Sequence, residues 1–109
     1  MVLRLADISA NCSTRERGRQ VYPALAELFR TAMACNEEMV VSFKGVELVT
    51  PSFLDETIIQ VVIEEVKGSI TLAHIRDFPV QSLRRMLELT GKKIELREQR
   101  KGVYQVVAA

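Results

Sequence analysis

A chain of 109 residues, 48% hydrophobic and 27% charged, has a globular composition and not that of a disordered segment, and it is about the length of one domain. Fifteen basic residues against fourteen acidic leave a net charge of +1, so a strongly basic nucleic-acid binder is not indicated. No apolar run approaches the ~18 residues of a membrane span, Met1–Asp7 lacks the apolar centre of a signal peptide, and Cys12 and Cys35 are too few for a disulfide framework, so they read as reduced thiols of a cytoplasmic protein.

Strand-like and helix-like periods alternate along the chain. Val2 to Ile8 is apolar at every second position or better, which predicts a strand broken by Asn11-Cys12-Ser13-Thr14. Ser13 with Glu16 three residues later forms a capping box and predicts a helix to about Ala34, with Val21, Leu25, Leu28, Phe29 and Ala32 on one face. Pro23 inside that run would kink the helix or mark its true first turn. Met39–Phe43 is a second strand. Gly45–Val49 leads to Thr50 as N-cap and Pro51 at the first helical position. Leu54, Ile58, Ile59, Val61, Val62, Ile63 and Val66 make the second helix apolar nearly all round, and Gly68 is a natural stop. Ser69–Ile75 is a third strand, and Asp77-Phe78-Pro79 opens a third helix that ends at Gly91. Lys92–Glu98 is a fourth strand, with Ile94 and Leu96 inward. Arg100-Lys101-Gly102 turns into a last strand, Val103–Val107. The order β-α-β-α-β-α-β-β predicts a single α/β domain over residues 1–109, with right-handed crossovers, a mostly parallel sheet and an antiparallel C-terminal hairpin at its edge. That edge could pair between subunits and make a homodimer.

Charge is uneven. Residues 1–36 carry +5 and −3, residues 37–67 carry +2 and −7, and residues 68–109 carry +8 and −4. Solvated faces that merely differ in sign account for this, and so does a two-signed surface that orients a protein partner. A minority reading places nucleic acid on Arg84, Arg85, Lys92 and Lys93, but the acidic middle opposes phosphates and few aromatics stand by for stacking.

In a largely parallel sheet, ligands gather where the strands' carboxyl ends meet helix N-termini. Asn11–Arg15, Val49–Phe53 and Arg76–Phe78 should meet there. An enzyme is not indicated. Every glycine stands alone, so there is no phosphate-cradling loop. Ser52 with the one histidine, His74, and Asp77 lacks the Gly-x-Ser-x-Gly turn of a serine hydrolase. Cys12, Cys35 and His74 have no metal-ligand spacing, and no metal or cofactor is expected. A small anion or metabolite held by Asn11, Arg15 and Arg76 remains an alternative function.

The stretch from Val40 to Glu56, a buried strand, a Gly-Val turn and Thr50-Pro51-Ser52-Phe53-Leu54-Asp55-Glu56 at a helix start, resembles the corresponding element of STAS (sulfate transporter and anti-sigma factor antagonist) domains. It is closer to the STAS-like family of unknown function, whose Pro/Ser-Ser-Phe-x-Asp/Glu-Glu element follows such a strand, and the likeness runs from about Thr14 to Leu96. The resemblance implies a non-enzymatic regulatory module of bacterial type. Its partner would be a protein, an ATP-binding regulatory kinase in the antagonists. Ser52 would be the phosphorylated hydroxyl, with Thr50 as second choice, and Pro51, Phe53, Asp55 and Glu56 would be the docking contacts. Here Thr50-Pro51 replaces the antagonists' acidic residue before the serine, and Phe53 stands where glycine is usual.

Overall fold

A computed structural model describes residues 1–65 and 69–108. The first strand, β1, is only Val2–Arg4, because the chain turns through a 3-10 helix at Leu5–Asp7 that buries Leu5. The predicted break at Asn11-Cys12 is instead a two-residue strand, β2. Helix α1 spans Arg15–Ala34 and is continuous through Pro23, which is exposed. Its N-cap is Thr14 and not Ser13: Thr14 Oγ1 accepts from the Arg17 amide at 3.0 Å. The N-cap therefore lies one residue from its predicted position, since Thr14 holds the extended backbone that a cap requires, and the residue three beyond it is Arg17 in place of a box-closing carboxylate.

Strand β3 is Met39–Ser42, and β4 is Leu48–Val49, which pairs in parallel with β2. The middle helix follows in three parts: α2 at Pro51–Leu54, a π-helical turn at Asp55–Ile59, and α3 at Gln60–Glu65. Thr57, Ile58, Ile59, Val61 and Val62 are all buried, but Ile63 is exposed, against the expectation that it extends the apolar face. Val66 and Gly68 lie outside the described residues. Strand β5 is Ser69–Ala73, helix α4 is Asp77–Thr90, and strands β6 (Ile94–Arg100) and β7 (Val103–Ala108) form the closing hairpin. Gly91 ends α4 at φ 71, a left-handed backbone that other residues adopt only with strain.

The main sheet has the order β1-β3-β5-β7-β6. Strands β1, β3 and β5 pair in parallel, while β7 runs antiparallel between β5 and β6. The C-terminal hairpin forms the antiparallel edge of the sheet as expected, and within it the last strand is interior and β6 is the outer strand. Composition explains the choice. Strand β7 buries Tyr104 and Val106, whereas β6 is exposed at Glu95 and from Arg97 to Arg100, so the charged strand takes the open edge.

Two antiparallel steps leave β6 parallel to β5. The crossovers β1-α1-β3, β3-(α2–α3)-β5 and β5-α4-β6 thus all step the same way across the sheet. Right-handed crossovers of one direction place their helices on one face. Burial agrees, since β5 and β7 both alternate between half-buried and buried residues. Met39, Val41, Ile70, Leu72, Leu96, Tyr104 and Val106 point under the helices into one core. The middle helix packs against α1 on one side and α4 on the other. Gly18 of α1 permits the first contact: a Cβ there would stand 2.9 Å from Glu56 Cβ and 3.2 Å from the Phe53 carbonyl oxygen. Among the described residues, no helix is long and apolar enough to cross a membrane.

Candidate functional site

The short β2–β4 pair brings two helix N-termini together at the carboxyl end of the sheet. The Thr50 amide donates to the Cys12 carbonyl at 3.0 Å, and Thr50 Oγ1 donates to the Ser13 carbonyl at 3.0 Å. The same hydroxyl accepts from the Phe53 amide at 3.3 Å, so Thr50 caps the middle helix as expected. Its oxygen is engaged in both directions. Ser52, one turn position on, is half-exposed, and among the described residues its hydroxyl has no hydrogen-bond partner. Of the two candidate hydroxyls, Ser52 is the one open to chemistry.

Phe53 is a correction. Open from the sequence to either a core position or an exposed docking contact, it is 0% exposed and packed in the core, so the docking reading falls. The helix starts with Pro51 and Ser52 toward solvent, so the next two positions turn inward beneath α1 and α4. Asp55 is also buried, and its role as a free contact gives way to an ion cluster. Arg15 Nη1 donates to Asp55 Oδ2 at 2.9 Å and to Glu56 Oε1 at 2.7 Å, while Lys92 Nζ donates to Asp55 Oδ1 at 2.7 Å. Arg19 Nε lies 3.7 Å from Glu56 Oε2. Burial pushes the Asp55 carboxyl up, but the bonds from Lys92 and Arg15 outweigh it and hold the group below its ordinary value. The bonds to Glu56 and then Asp55 raise Arg15 in turn. A cation at the start of α1 opposes the helix dipole, and these two carboxylates offset it.

The proposed anion set is therefore divided. Arg15 faces Asp55 and Glu56, while Asn11 pairs in register with Leu48 and Arg76 caps α4 without a side-chain bond. Arg76 lines a cleft of about 180 Å³ between the β3–β4 segment and the start of α4. Val46, Leu48, Val49, His74 and Phe78 share its walls. Its size is below the ~300–1,000 Å³ that buries a whole small-molecule ligand. Phe78 is 79% exposed and Leu48 53% exposed, so two large apolar side chains stand open at its rim. His74 is held at φ 55, an uncommon conformation for a non-glycine residue that swings the chain from β5 toward α4.

Compared with protein-family models, curated proteins and solved structures, the chain gives no significant match to any of them.

Other candidates resolve differently. Both cysteines are free; Cys12 is buried and Cys35 exposed. Burial pushes the Cys12 thiol up to about 11, against the Ser9 hydrogen bond and nearby Arg17, so it is no nucleophile at neutral pH. Among the described residues, no group of three or more His, Cys, Asp or Glu side chains is placed to hold a metal. In the basic last third, Lys92 binds Asp55, and Arg84 Nη2 donates to the Leu96 carbonyl at 2.7 Å. Arg85 and Lys93 are exposed. Tyr104 is a buried tie: its hydroxyl donates to Asp77 Oδ1 at 2.6 Å, with Glu98 Oε2 3.2 Å away. Burial and then these carboxylates push its ionisation up. Sequence reasoning missed Lys92 in the ion cluster, because a contact 37 residues away leaves no local signal. It also passed over Leu48. Exposed apolar residues in short segments carry no period that marks them.

Proposed function

We propose that this protein is a non-enzymatic, STAS-like interaction module of the cytoplasm, which docks a regulatory protein partner at the carboxyl ends of its parallel strands. The docking surface is the Thr50–Ser52 turn together with the cleft rim at Leu48 and Phe78. An ATP-binding kinase that phosphorylates Ser52 is the partner class this reading favours. The carrying observation is the division of labour between two hydroxyls: Thr50 caps the helix, and Ser52 stands half-exposed with no hydrogen-bond partner among the described residues.

Chemistry supports the reading at three points. The cleft is small, which suits one apolar side chain of a partner and not an enclosed metabolite. His74 and Arg76 on its wall suit a carboxylate beside that side chain. A phosphate on Ser52 would add about −1.5 to −2 charges at neutral pH. Asp55 and Glu56 oppose it little, because Arg15 and Lys92 offset their charges. The phosphate would then act on the partner's surface more than on this fold.

Affinity capture from the source cell lysate tests this, with wild type beside Ser52→Glu and Phe78→Ser. Wild type should retain one regulator with an ATP-binding fold, and both variants should lose it. Retention unchanged in both variants would place the contact elsewhere and sink the proposal.

A further inference from the structure

We propose that the helix-free face of the main sheet is a self-association surface, and that its occupant is a second copy of this chain packed sheet against sheet with antiparallel strands. All-parallel sheets are nearly always covered on both sides, because crossovers supply helices to each face, and here β1, β3 and β5 form a parallel block within a mixed sheet. Here every crossover steps the same way, and among the described residues no helix covers the second face.

The strand register arranges that face in rows. Arg4, Ser42, Ala73, Val103 and Arg100 are successive partners across the sheet. The next outward row is Val2, Val40, Thr71, Gln105 and Arg97. The third holds Ser69, Val107 and Glu95, with Glu38 at its β3 side, where it accepts from Thr71 Oγ1 at 2.6 Å. Across β3, β5 and β7 the centre is uncharged, with Val40, Thr71, Ala73, Val103 and Gln105 in one shallow groove that Glu38 and Arg100 close at its ends, while Arg97 stands at the β6 end of the middle row. One end of the face is basic, through Arg4 and Arg100, and the other is acidic, through Glu38 and Glu95.

This pattern is complementary to itself, which points to a second copy and not to a partner of one charge. A two-fold axis along the strands would set Arg4 of each copy over Arg100 of the other, basic end on basic end. A two-fold axis across the strands, through the middle row, sets each basic end over the other copy's acidic end, and the two Arg97 side chains that meet on the axis are each paired with their own Glu95 Oε2 at 2.7 Å. Arg100 and Glu95 both lie on β6, so this axis brings them together directly, while Arg4 meets Glu38. Stacked sheets lie ~10 Å apart, which leaves room for the small and β-branched side chains of the central rows.

The area sets the strength. Five strands ~4.8 Å apart and three outward rows give a face of roughly 400–500 Å² per copy. The total lies below the ~1,200 Å² of firm interfaces. The dimer is therefore weak and reversible, and salt weakens it further by screening the two ends.

Sedimentation velocity on the full chain over a wide dilution series tests this, with Arg100→Glu, Glu95→Arg and the double swap, each checked for native circular dichroism. Wild type should self-associate as concentration rises, and each single swap should weaken that by roughly tenfold or more through like charges across the contact. The double swap restores both pairs and should regain the wild-type association. A wild type that stays monomeric throughout overturns the proposal. So do single swaps that associate as tightly as wild type, which would put any dimer on another surface such as the β6 edge. A folded double swap that fails to recover overturns it as well.

Discussion

The two faces of the main sheet are built from alternate residues of the same strands, yet they obey different rules. On β5, Ile70 and Leu72 are fully buried beneath the helices, while Ser69, Thr71 and Ala73 between them remain half-exposed. On β7, Tyr104 and Val106 go inward, and Val103, Gln105 and Val107 outward. The covered face tolerates only close packing, and its polar atoms are paired. The open face is small-residued and neutral at its centre, with charge at its ends. Neighbouring residues on one strand can thus carry stability on one side and association on the other.

Substitutions that differ only in which face they touch should separate these roles. The largest effect is expected for Leu72→Ala, which leaves a void in the core and should lower unfolding stability by about 3 kcal/mol. Urea unfolding midpoints at unchanged slope measure it. Its neighbour Thr71→Ala on the open face gives up only the exposed hydrogen bond to Glu38 and should cost about 1 kcal/mol or less. If the two losses were equal, the contrast between the faces would be false.

A second test enters the helix layer that covers the buried face. Gly18→Ala should help α1 by up to ~1 kcal/mol through helix propensity alone. The added Cβ would meet Glu56 Cβ and the Phe53 carbonyl oxygen, however, and neither is the far end of a flexible chain. The net effect should be a loss of about 2 kcal/mol, seen as a lower Tm. A raised Tm would mean that α1 and the middle helix are not in close contact.

The smallest of the three effects concerns the ion cluster that ties the helix layer to the loop after α4. The Asp55 carboxyl lies below its ordinary value of 3.8 in the folded protein. Its stabilisation is therefore complete above about that pH and is lost as pH falls through the lower, folded-state value. Asp55→Asn should cost about 1–2 kcal/mol at neutral pH, less than a fully buried pair because Arg15 and Lys92 keep a third or so of their side-chain exposure. Stability curves of wild type and variant should converge in acid. A gap that persists below the carboxylate range would assign the loss to packing and not to charge.

The middle helix shows where sequence reading works and where it stops. Thr50 and Pro51 act through chemistry within three residues, so the cap was legible and is present. The same holds for Gly91 at the end of α4, where a left-handed backbone is a local demand. The cap read at Ser13 falls one residue later, because Thr14 offers the same hydroxyl and β2, which was not foreseen, sets where the chain leaves the sheet. Phe53 could be read as core or contact from its neighbours alone. Its burial follows from α1 and α4 closing over the helix, which no local pattern encodes.

By itself, the sequence determined the alternation of the main strands and helices, the cap at Thr50 and the stop at Gly91, and which residues of each strand share a face. These depend on periods of two or 3.6 residues and on the backbone preferences of single side chains. Tertiary structure alone decided three other matters. It inserted β7 between β5 and β6, joined Arg15, Asp55 and Lys92 into one cluster, and gathered all the helices on one side of the sheet. Each depends on contacts between segments tens of residues apart, where packing and charge pairing act through space and leave no mark in local order.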